Sequence, residues 1–564
     1  MVGKNYVTID GIPVEIGGEK NLLELIRKIG IKLPTFCYHT ELSIYGACRM
    51  CMVEDERGNL EAACSTPPRA GMVIRTNTER LRKYRKMILE LLLANHCRDC
   101  TTCNNNGACK LQDLAMRFGI DRVRFPNTAS EPKLDESSVS ITRDQNKCIL
   151  CGDCVRMCNE VQNVGAIDFA HRGAKMTIST AFEVPLAQSP CVGCGQCAAA
   201  CPTGAIVVKN DTSAVWSAID DSHTKVTVQI APAVRVAMGK EMGLGDGENA
   251  IGKITAALRH MGFDEIYDTA TGADLTVLEE SNEFLKRVEN GLPELPLFTS
   301  CCPAWVQYCE KNYPELLHCV STCRSPREMF GAVIKANNEN SNRRQVHVAV
   351  MPCTAKKFEA AREEFKMKGE PIVDYVLTTQ ELIRMIKESG VVFSELEPEA
   401  VDMPFAYKTG AGVIFGVTGG VTEAVLRRLT SDKSITALKA LAFQGVRGLE
   451  GVKECVIPYG ELSLKIAVVS GLGNAAKLIE RIRAGEHYDF VEVMACPNGC
   501  ISGGGQPFAH ADEQVERGKG LYKADQVSRI KRSEENPLMI DLYNGLLKGR
   551  VHELLHVRYG KEEQ

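Results

Sequence analysis

Three cysteine motifs decide the fold of the C-terminal half: Thr299-Ser-Cys-Cys-Pro-Ala-Trp305, Met351-Pro-Cys-Thr-Ala-Lys-Lys-Phe-Glu359 and Glu492-Val-Met-Ala-Cys-Pro-Asn-Gly-Cys-Ile-Ser-Gly-Gly-Gly-Gln-Pro507. Each motif follows an apolar run that predicts a buried parallel strand, at Leu295–Phe298, Val346–Val350 and Phe490–Val493. Ligands of open α/β sheets bind at the carboxyl ends of the strands, so we expect these cysteines to converge there. Several thiolates at one place favour an iron–sulfur cluster. Buried core cysteines are the alternative, and the Pro- and Gly-containing turns make it the weaker one.

The composition favours metal ligation over disulfides. A chain of 564 residues should divide into about three to five domains. A formal net charge of -4 and a pI near 6.3 argue against nucleic acid as a partner. We see no signal-peptide pattern and no run of about eighteen apolar residues that would predict a membrane span, so we expect a cytoplasmic protein. There, 25 cysteines, most of them in Cys-x2-Cys groups, predict metal sites.

Residues 1–80 predict a small domain with a β-grasp, ferredoxin-like fold. Strands at Tyr6–Ile9 and Val14–Ile16 flank Asp10-Gly11, which is a hairpin signal, and a helix follows at Asn21–Ile29. The cysteines that come next resemble the cluster loop of plant-type [2Fe–2S] ferredoxins, although the first spacing is longer than Cys-x4-Cys. A zinc site is the alternative. The predicted ligands are Cys37, Cys48, Cys51 and Cys64.

Residues 81–126 carry a candidate cluster site with a histidine ligand. Thr78–Ala94 predicts an amphipathic helix, and the pattern His-x3-Cys-x2-Cys-x5-Cys follows it. This pattern resembles the His/Cys3 [4Fe–4S] domain of [FeFe]-hydrogenases and of a respiratory NADH dehydrogenase subunit. Cys97 lies next to His96 in the chain and is the alternative fourth ligand. The ligands that the resemblance implies are His96, Cys100, Cys103 and Cys109.

Residues 139–210 contain an internal repeat and follow a polar connector at residues 127–138. Both copies have the spacing Cys-x2-Cys-x2-Cys-x3-Cys of bacterial two-cluster ferredoxins, in which the fourth cysteine ligates the other cluster. One [4Fe–4S] cluster is therefore expected on Cys148, Cys151, Cys154 and Cys201. The second is expected on Cys191, Cys194, Cys197 and Cys158. Such centres in one chain predict an electron wire from the surface to a buried site.

Residues 211–564 alternate strand and helix patterns, which predicts two α/β lobes with a cleft between them. Further strands are expected at Val226–Ile230, Val413–Phe415 and Ile466–Val469, and helices at Glu381–Glu388 and Ala475–Ile482. The three cysteine motifs closely resemble the active-site signatures of [FeFe]-hydrogenases. With the accessory clusters, the resemblance covers essentially the whole chain, and the tail is similar to the small subunit of two-chain relatives. The overall fold class is thus α/β and α+β, in several domains.

The resemblance implies an H-cluster, which is a [4Fe–4S] cluster joined to a two-iron subcluster that carries CO, cyanide and a dithiolate. Cys500 would bridge the two parts. Lys356 would donate a hydrogen bond to a cyanide, whereas its neighbour Lys357 fits a solvated lysine better. The implied ligands of the [4Fe–4S] part are Cys302, Cys353, Cys496 and Cys500. The apolar wall would consist of Met351, Met494, Phe415, Pro232 and Pro326.

A proton relay is implied as well, and it would begin at the Cys301 thiol. Glu280, Glu283 and Arg287 have the spacing of one helix face, and Ser321 follows in a Ser-Thr-Cys-Arg-Ser-Pro segment. These residues match the relay of the family. A solvated acidic helix face is the alternative that the spacing alone leaves open.

Some positions depart from the family pattern. Ala233 and Arg327 stand where Ser and Gln are common, and Ala304 replaces a frequent glycine. Pro497-Asn498 replaces the usual His-Gly between two ligand cysteines. None of these changes removes a ligand, but Ala233 would remove a hydrogen bond to a cyanide and Arg327 would add charge. H2 evolution is therefore not assumed to be the favoured direction.

The predicted function is that of a monomeric, ferredoxin-linked [FeFe]-hydrogenase that catalyses 2H+ + 2e− ⇌ H2. Its predicted cofactors are one [2Fe–2S] cluster, three accessory [4Fe–4S] clusters and one H-cluster. The expected partners are ferredoxin or flavodoxin and the maturation enzymes. The alternatives are an H2 sensor, a non-catalytic electron carrier and a subunit of an NAD-linked hydrogenase.

Overall fold

The computed structural model describes residues 5–127, 134–289, 296–430, 446–448, 451–459 and 462–560. The first domain is built on a five-stranded sheet. Its strands follow one another in space as Ile12–Glu15, Tyr6–Ile9, Val73–Arg75, Met52–Asp55 and Leu60–Ala62. Helix Leu22–Lys28 packs its apolar side chains into the core of this domain, and its N-terminus is capped by Asn21, whose side chain accepts a hydrogen bond from Glu24 N at 3.0 Å. The predicted hairpin and helix are both present.

The second and third cysteine regions contain little regular structure. Helices Glu79–Ala94 and Lys110–Arg117 flank the histidine-containing loop. In the repeat region, Ile206–Val208, Ile141–Asp144 and Leu134–Asp135 form a three-stranded sheet, and Asp168–Ala170 pairs with Thr177–Ser179. Two short helices, Asp153–Arg156 and Gln196–Ala200, each begin within a cysteine run. Leu134–Asp135 lies within the predicted connector, so the end of that segment belongs to the sheet; residues 128–133 lie outside the described residues.

Two four-stranded sheets organise the C-terminal half. In the first, all strands are parallel and lie in the order Glu265–Asp268, Thr224–Ile230, Arg344–Met351 and Tyr375–Thr378. In the second, Leu297–Phe298, Phe490–Met494 and Leu462–Ser470 are parallel, and Val452–Tyr459 adds an antiparallel edge. The strands predicted before the three motifs and at Val226–Ile230 and Ile466–Val469 are confirmed, apart from Leu295, which lies outside the described residues.

Helices cover both sheets. The longest, Ala270–Glu289, is buried along most of its length and carries the predicted relay carboxylates. The predicted helices at Glu381–Glu388 and Ala475–Ile482 are present and slightly longer. Besides Ala270–Glu289, the α-helices of the described C-terminal half are Thr212–Asp220, Ile251–His260, Pro303–Asn312, Pro326–Asn337, Ala355–Ala360, Thr379–Glu388, Gly410–Val413, Gly420–Leu429, Leu472–Arg483, Ala511–Val527, Pro537–Asn544 and Val551–Leu555. Among the residues that the structure describes, no helix has both the length and the apolar character needed to cross a membrane.

One predicted strand, Val413–Phe415, is wrong. The segment forms the end of helix Gly410–Val413 and a following 3₁₀ turn, Ile414–Gly416. Thr409 caps the helix, because its side chain accepts a hydrogen bond from Gly412 N at 3.1 Å. The helix packs against Ala270–Glu289, so a short apolar run that is compatible with either structure is held as a helix by its cap and its tertiary contacts.

Candidate active site and cluster sites

The predicted catalytic cysteines meet at the carboxyl edges of the two sheets. Cys301 and Cys302 follow Leu297–Phe298, Cys353 follows Arg344–Met351, and Cys496 and Cys500 follow Phe490–Met494. All five line one cavity of about 760 Å³, open solvent included. The same cavity is lined by Lys356, Met351, Met494, Phe415, Pro232 and Pro326, which are the predicted pocket residues.

Lys356 is held by a carboxylate to which the sequence analysis assigned no role. Its Nζ donates to Glu359 Oε2 at 2.9 Å and to the Cys301 carbonyl at 3.1 Å. The same Glu359 oxygen accepts from Arg327 Nη2 at 2.8 Å. Burial alone would raise the pKa of Glu359, but the charges of Lys356 and Arg327 outweigh it and lower that pKa. The three-residue spacing from Lys356 to Glu359 on one helix was the available signal.

The two departures predicted to matter, Ala233 and Arg327, both line the cavity. The Arg327 side chain is 1% exposed, and its Nε and Nη1 have no hydrogen-bond partner within the described residues. Ala233 contributes only a methyl group. This cavity wall thus has a buried guanidinium but no side-chain hydroxyl at position 233.

The expectation that Lys357 is solvated is wrong. Its Nζ is buried and donates to Asp211 Oδ2 at 2.5 Å, Glu381 Oε1 at 3.0 Å and the Val376 carbonyl at 2.6 Å. These partners anchor the helix that follows Cys353 to the neighbouring strand and helix. Lys357 therefore faces away from the cavity that Lys356 lines, as consecutive helical residues do.

The predicted relay residues lie near one another in the order Cys301, Glu280, Ser321, Glu283 and Arg287. Glu280 is completely buried, and within the described residues neither carboxylate oxygen makes a hydrogen bond of normal length and angle. Burial, then the charge of Glu283, raises the pKa of Glu280 to about 8, and Ser321 and the Ser300 N–H offset only part of that rise. Burial, then the charge of Glu280, raises the pKa of the Cys301 thiol. Both groups therefore keep their protons at neutral pH.

The outer part of this series is tightly hydrogen-bonded. Ser321 Oγ donates to Glu283 Oε2 at 2.9 Å, and Arg287 Nη2 donates to Glu283 Oε1 at 2.6 Å. The Thr322 N–H also donates to Glu283 Oε2, at 3.0 Å. Glu283 is therefore held in place by donors from two segments. The alternative of a solvated acidic face does not fit Glu280, whose carboxylate is buried.

The two predicted cubane sites each appear as a separate cavity. One, of about 450 Å³, is lined by Cys148, Cys151, Cys154 and Cys201. The other, of about 480 Å³, is lined by Cys158, Cys191, Cys194 and Cys197. Each cavity is thus lined by three cysteines of one run and the fourth cysteine of the other run, as the spacing predicts.

The histidine-containing site is a smaller cavity of about 270 Å³, and both candidate fourth ligands line it. His96, Cys97, Cys100, Cys103 and Cys109 all contribute. Burial, then the charge of Lys147, lowers the pKa of His96, which favours the neutral ring that binds metals. Its Nε2 is buried and makes no hydrogen bond to any residue that the structure describes. Nδ1 accepts from Arg98 N at 3.2 Å, so ligation through Nε2 would replace that bond with one donated by Nδ1.

The four cysteines of the first domain form two contacting pairs. The Cys48 N–H donates to Cys37 Sγ at 3.3 Å, and the Phe36 N–H donates to Cys48 Sγ at 3.4 Å. The thiol–thiol hydrogen bond in each pair lowers the pKa of Cys51 and Cys48 and raises the pKa of their partners Cys64 and Cys37. Thiolates are the form that binds iron, and N–H donors to sulfur tune cluster potentials.

The cavity of Cys158, Cys191, Cys194 and Cys197 adjoins the catalytic motifs. Thr354 Oγ1 donates to the Gly193 carbonyl at 2.7 Å. A Cβ on Gly504 would lie 2.5 Å from the Cys194 carbonyl, so only glycine permits this approach. The loops after Cys353 and Cys500 thus both contact the Cys194 loop, and the second cubane cavity is next to the catalytic cavity.

The donors around the catalytic cavity fit an iron–sulfur group larger than a cubane. Its space exceeds the 450 and 480 Å³ of the four-cysteine cavities. Burial raises the pKa of Cys353 to about 11, so this thiol would lose its proton on binding metal. No group of three or more His, Cys, Asp or Glu in the described residues could hold a single metal ion. The cysteines instead surround spaces that suit multi-iron clusters.

Family profiles match successive parts of the chain. "Iron only hydrogenase large subunit, C-terminal domain" matches residues 224–504, and "Iron hydrogenase small subunit" matches residues 511–562. A 2Fe-2S iron-sulfur cluster binding domain matches residues 6–79, and a 4Fe-4S dicluster domain matches residues 147–205. The NADH-ubiquinone oxidoreductase-G iron-sulfur binding region matches residues 85–124.

Two relatives align with almost the whole chain. The NADP-reducing hydrogenase subunit HndD of Solidesulfovibrio fructosivorans is 42% identical over 99% of this chain and 99% of its own. Iron hydrogenase 1 of Clostridium pasteurianum is 35% identical over 98% of this chain and 100% of its own. The chain belongs to the [FeFe]-hydrogenase family. It is therefore an oxidoreductase that acts on H2, and its cofactors include iron–sulfur clusters.

Comparison with a solved structure shows that the likeness to [FeFe]-hydrogenases includes the fold. A variant of [FeFe]-hydrogenase HydA1 from Chlamydomonas reinhardtii is 36% identical and aligns with a TM-score of 0.53. The alignment covers 62% of this chain and 99% of the other. The family predicted from the three motifs is confirmed, as is a mixed α/β, multidomain chain with ferredoxin-like iron–sulfur domains and a hydrogenase domain.

Proposed function

We propose that this hydrogenase catalyses 2H+ + 2e− ⇌ H2 at an H-cluster in the catalytic cavity. Cys302, Cys353, Cys496 and Cys500 would hold its [4Fe–4S] part, with Cys500 also bridging to the two-iron subcluster. The observation that carries the proposal is the cavity itself, because cysteines from three separate loops line it together with the Cys301 thiol. A plain electron carrier would not require a fifth thiol backed by a buried carboxyl.

We also propose how electrons reach the site. One [2Fe–2S] cluster in residues 1–80, one [4Fe–4S] cluster in residues 81–126 and two in residues 139–210 would exchange electrons with ferredoxin or flavodoxin. Residues 127–138 would link the second and third of these units, and residues 211–564 would form the catalytic unit. The closeness of the Cys194 loop to the catalytic loops supports the direction of this wire. Monomeric state and cytoplasmic location stay predictions.

When bound, the H-cluster supplies the redox-active iron at which H2 is split or formed. The residues of the chain handle the protons. Cys301 exchanges a proton with the site, Glu280 exchanges it with Cys301, and Ser321 passes it to Glu283. Lys356, fixed by Glu359, provides an N–H donor at the cavity wall for an anionic ligand. Pro232, Pro326, Met351, Met494 and Phe415 exclude water from the same wall.

Infrared spectroscopy tests the proposal. Anaerobic protein coexpressed with the maturation enzymes should show iron-bound CO and cyanide bands and should catalyse H2 turnover. The control is the same chain produced without those enzymes, which should keep its accessory clusters and lack the bands. If a known hydrogenase matured in parallel shows the bands and this chain does not, the proposed H-cluster is wrong.

A second candidate function is that of a catalytic subunit in an NAD(P)-linked complex. It is favoured by the 42% identity to a protein named as an NADP-reducing hydrogenase subunit. Affinity purification from the native cell would test it. Copurification of a flavoprotein, together with H2-dependent NADP+ reduction by the complex but not by the isolated chain, would support this candidate. Full ferredoxin-linked turnover by a chain that purifies alone would contradict it.

The histidine site yields a separate prediction. His96→Ala should change or abolish the electron paramagnetic resonance signal of one accessory [4Fe–4S] cluster and leave the infrared bands intact. Cys97→Ala is the matched control and should retain that cluster signal, because the buried His96 Nε2 makes no hydrogen bond within the described residues and can take the fourth ligand position. The opposite result, with the signal lost in Cys97→Ala and kept in His96→Ala, would make Cys97 the ligand.

A further inference from the structure

The C-terminal segment adds a histidine network to the end of the proposed relay. Thr322 Oγ1 lies 3.2 Å from Glu283 Oε2 and 2.9 Å from His556 Nδ1. His556 Nε2 lies 3.0 Å from Glu279 Oε2, and Tyr543 donates its hydroxyl proton to Glu279 Oε1. In the chain, His556 lies 277 residues from Glu279 and 234 residues from Thr322, and Tyr543 lies 264 residues from Glu279, so only folding brings these groups together. The relay is thereby joined to the segment that matches the small subunit.

At Glu283 this network supplies groups that can pass a proton onward. Its ion-pair partner Arg287 lies at 2.6 Å, but a guanidinium does not give up its proton in proteins. Arg287 can therefore position Glu283 and cannot pass a proton onward. Thr322 and His556 provide what Arg287 lacks, a hydroxyl that both donates and accepts and an imidazole ring that can bind a proton at one nitrogen and release one from the other.

The network also approaches the surface. The His556 side chain is 13% exposed. His552 lies one turn earlier, at helix Val551–Leu555, and is exposed. The two imidazole ring centroids are 4.8 Å apart. His556 thus lies between the partly buried Thr322 and an exposed titratable ring.

We propose that His556 is a proton outlet of the relay, which carries protons between Glu283 and solvent beside His552. This inference rests on the proposed hydrogenase function. In the outward direction, protonated Glu283 gives its proton to Thr322 Oγ1 while Thr322 gives its hydroxyl proton to His556 Nδ1. One O–H bond breaks at each oxygen, one O–H bond and one N–H bond form, and no electron moves. The imidazolium faces the Glu279 carboxylate and becomes neutral again when a proton leaves to solvent.

The Thr322 hydroxyl suits this exchange because it has one proton and two possible acceptors. It can point to His556 Nδ1 and accept from protonated Glu283, or it can point to the Glu283 carboxylate and accept from the imidazolium. The first arrangement carries a proton outward and the second carries it inward. The same three groups therefore serve both directions of a reversible reaction.

The test is His556→Ala in the fully matured enzyme. H2 oxidation at saturating viologen should fall by about tenfold, less than the 100-fold or more expected for loss of a sole proton carrier, because Glu283 keeps some direct contact with solvent. The solvent isotope effect on turnover should increase, and added imidazole should restore part of the rate. The CO and cyanide bands should not move. His556→Gln, which keeps a polar side chain but cannot be protonated, should show the same defect if the alanine variant folds poorly.

His487→Ala is the matched control, since His487 pairs with Asp489 at 2.9 Å outside this network and its loss should leave turnover unchanged. Wild-type turnover and isotope effect in both His556 variants would overturn the inference. A lower rate that imidazole does not restore, with shifted bands or reduced thermal stability, would also overturn it and give His556 a structural role. Failure of the wild-type chain to show the bands and H2 turnover would instead overturn the proposed function.

Discussion

Cys301→Ala should lower H2 turnover by about 100-fold or more while the infrared bands of the catalytic site remain. The thiol is the one cavity-lining cysteine outside the proposed ligand set, and burial together with Glu280 raises its pKa. It therefore stays protonated and can give a proton to the site or take one from it. Without it, the proposed relay loses the group that joins Glu280 to the cavity. Turnover should be measured in both directions with viologen, alongside the infrared spectrum.

Two further variants sharpen this prediction. Cys301→Asp keeps a titratable group and should recover part of the activity. Cys309→Ala removes a buried thiol from helix Pro303–Asn312, which follows the same motif. Within the described residues its Sγ donates a hydrogen bond to the Tyr313 carbonyl, away from the relay, so turnover should stay almost unchanged. Substantial activity in Cys301→Ala, with its clusters assembled, would remove Cys301 from the relay.

Local patterns in the sequence predict the parts of the fold that depend on residues close together in the chain. The apolar runs before the three motifs are strands because parallel strands buried on both faces need continuous apolar sequence. The cubane groupings follow from short, regular spacings that return the chain to the same cluster. The pocket residues were found because each lies close in sequence to a cysteine motif or matches a family position.

The parts that the sequence did not reveal depend on distant partners. Lys357 is buried because Asp211, 146 residues away, and Glu381 supply carboxylates. Val413–Phe415 is helical because of a threonine cap and a neighbouring helix, and three apolar residues cannot show either. His556 meets Thr322 across 234 residues. No local pattern predicts such contacts, because each depends on how the rest of the chain folds.

Cys194→Ala should slow the supply of electrons to the catalytic site and leave the chemistry at that site intact. The Cys194 loop contacts the loops after both Cys353 and Cys500, so the cluster on Cys158, Cys191, Cys194 and Cys197 would be the last centre before the catalytic site. Its loss should lower ferredoxin-linked turnover by roughly tenfold or more, at least about 1.4 kcal/mol in activation free energy. Exchange of H2 with D2O should persist, because it needs the catalytic site and the proton relay but no long-range electron transfer.

Cys103→Ala is the matched control for the electron wire. It would disrupt a more distant cluster and leave the [2Fe–2S] domain as another route for electrons, so its effect on turnover should be smaller. Cys194→Ser offers an oxygen ligand and should retain more of the cluster if the alanine variant is unstable. Equal ferredoxin-linked turnover in wild type and Cys194→Ala, with the cluster shown to be absent, would contradict the wire. Loss of isotope exchange in Cys194→Ala would mean that the substitution damages the catalytic site itself. Since Cys301→Ala should lose both turnover and exchange, the two variants together distinguish the path of electrons from the path of protons.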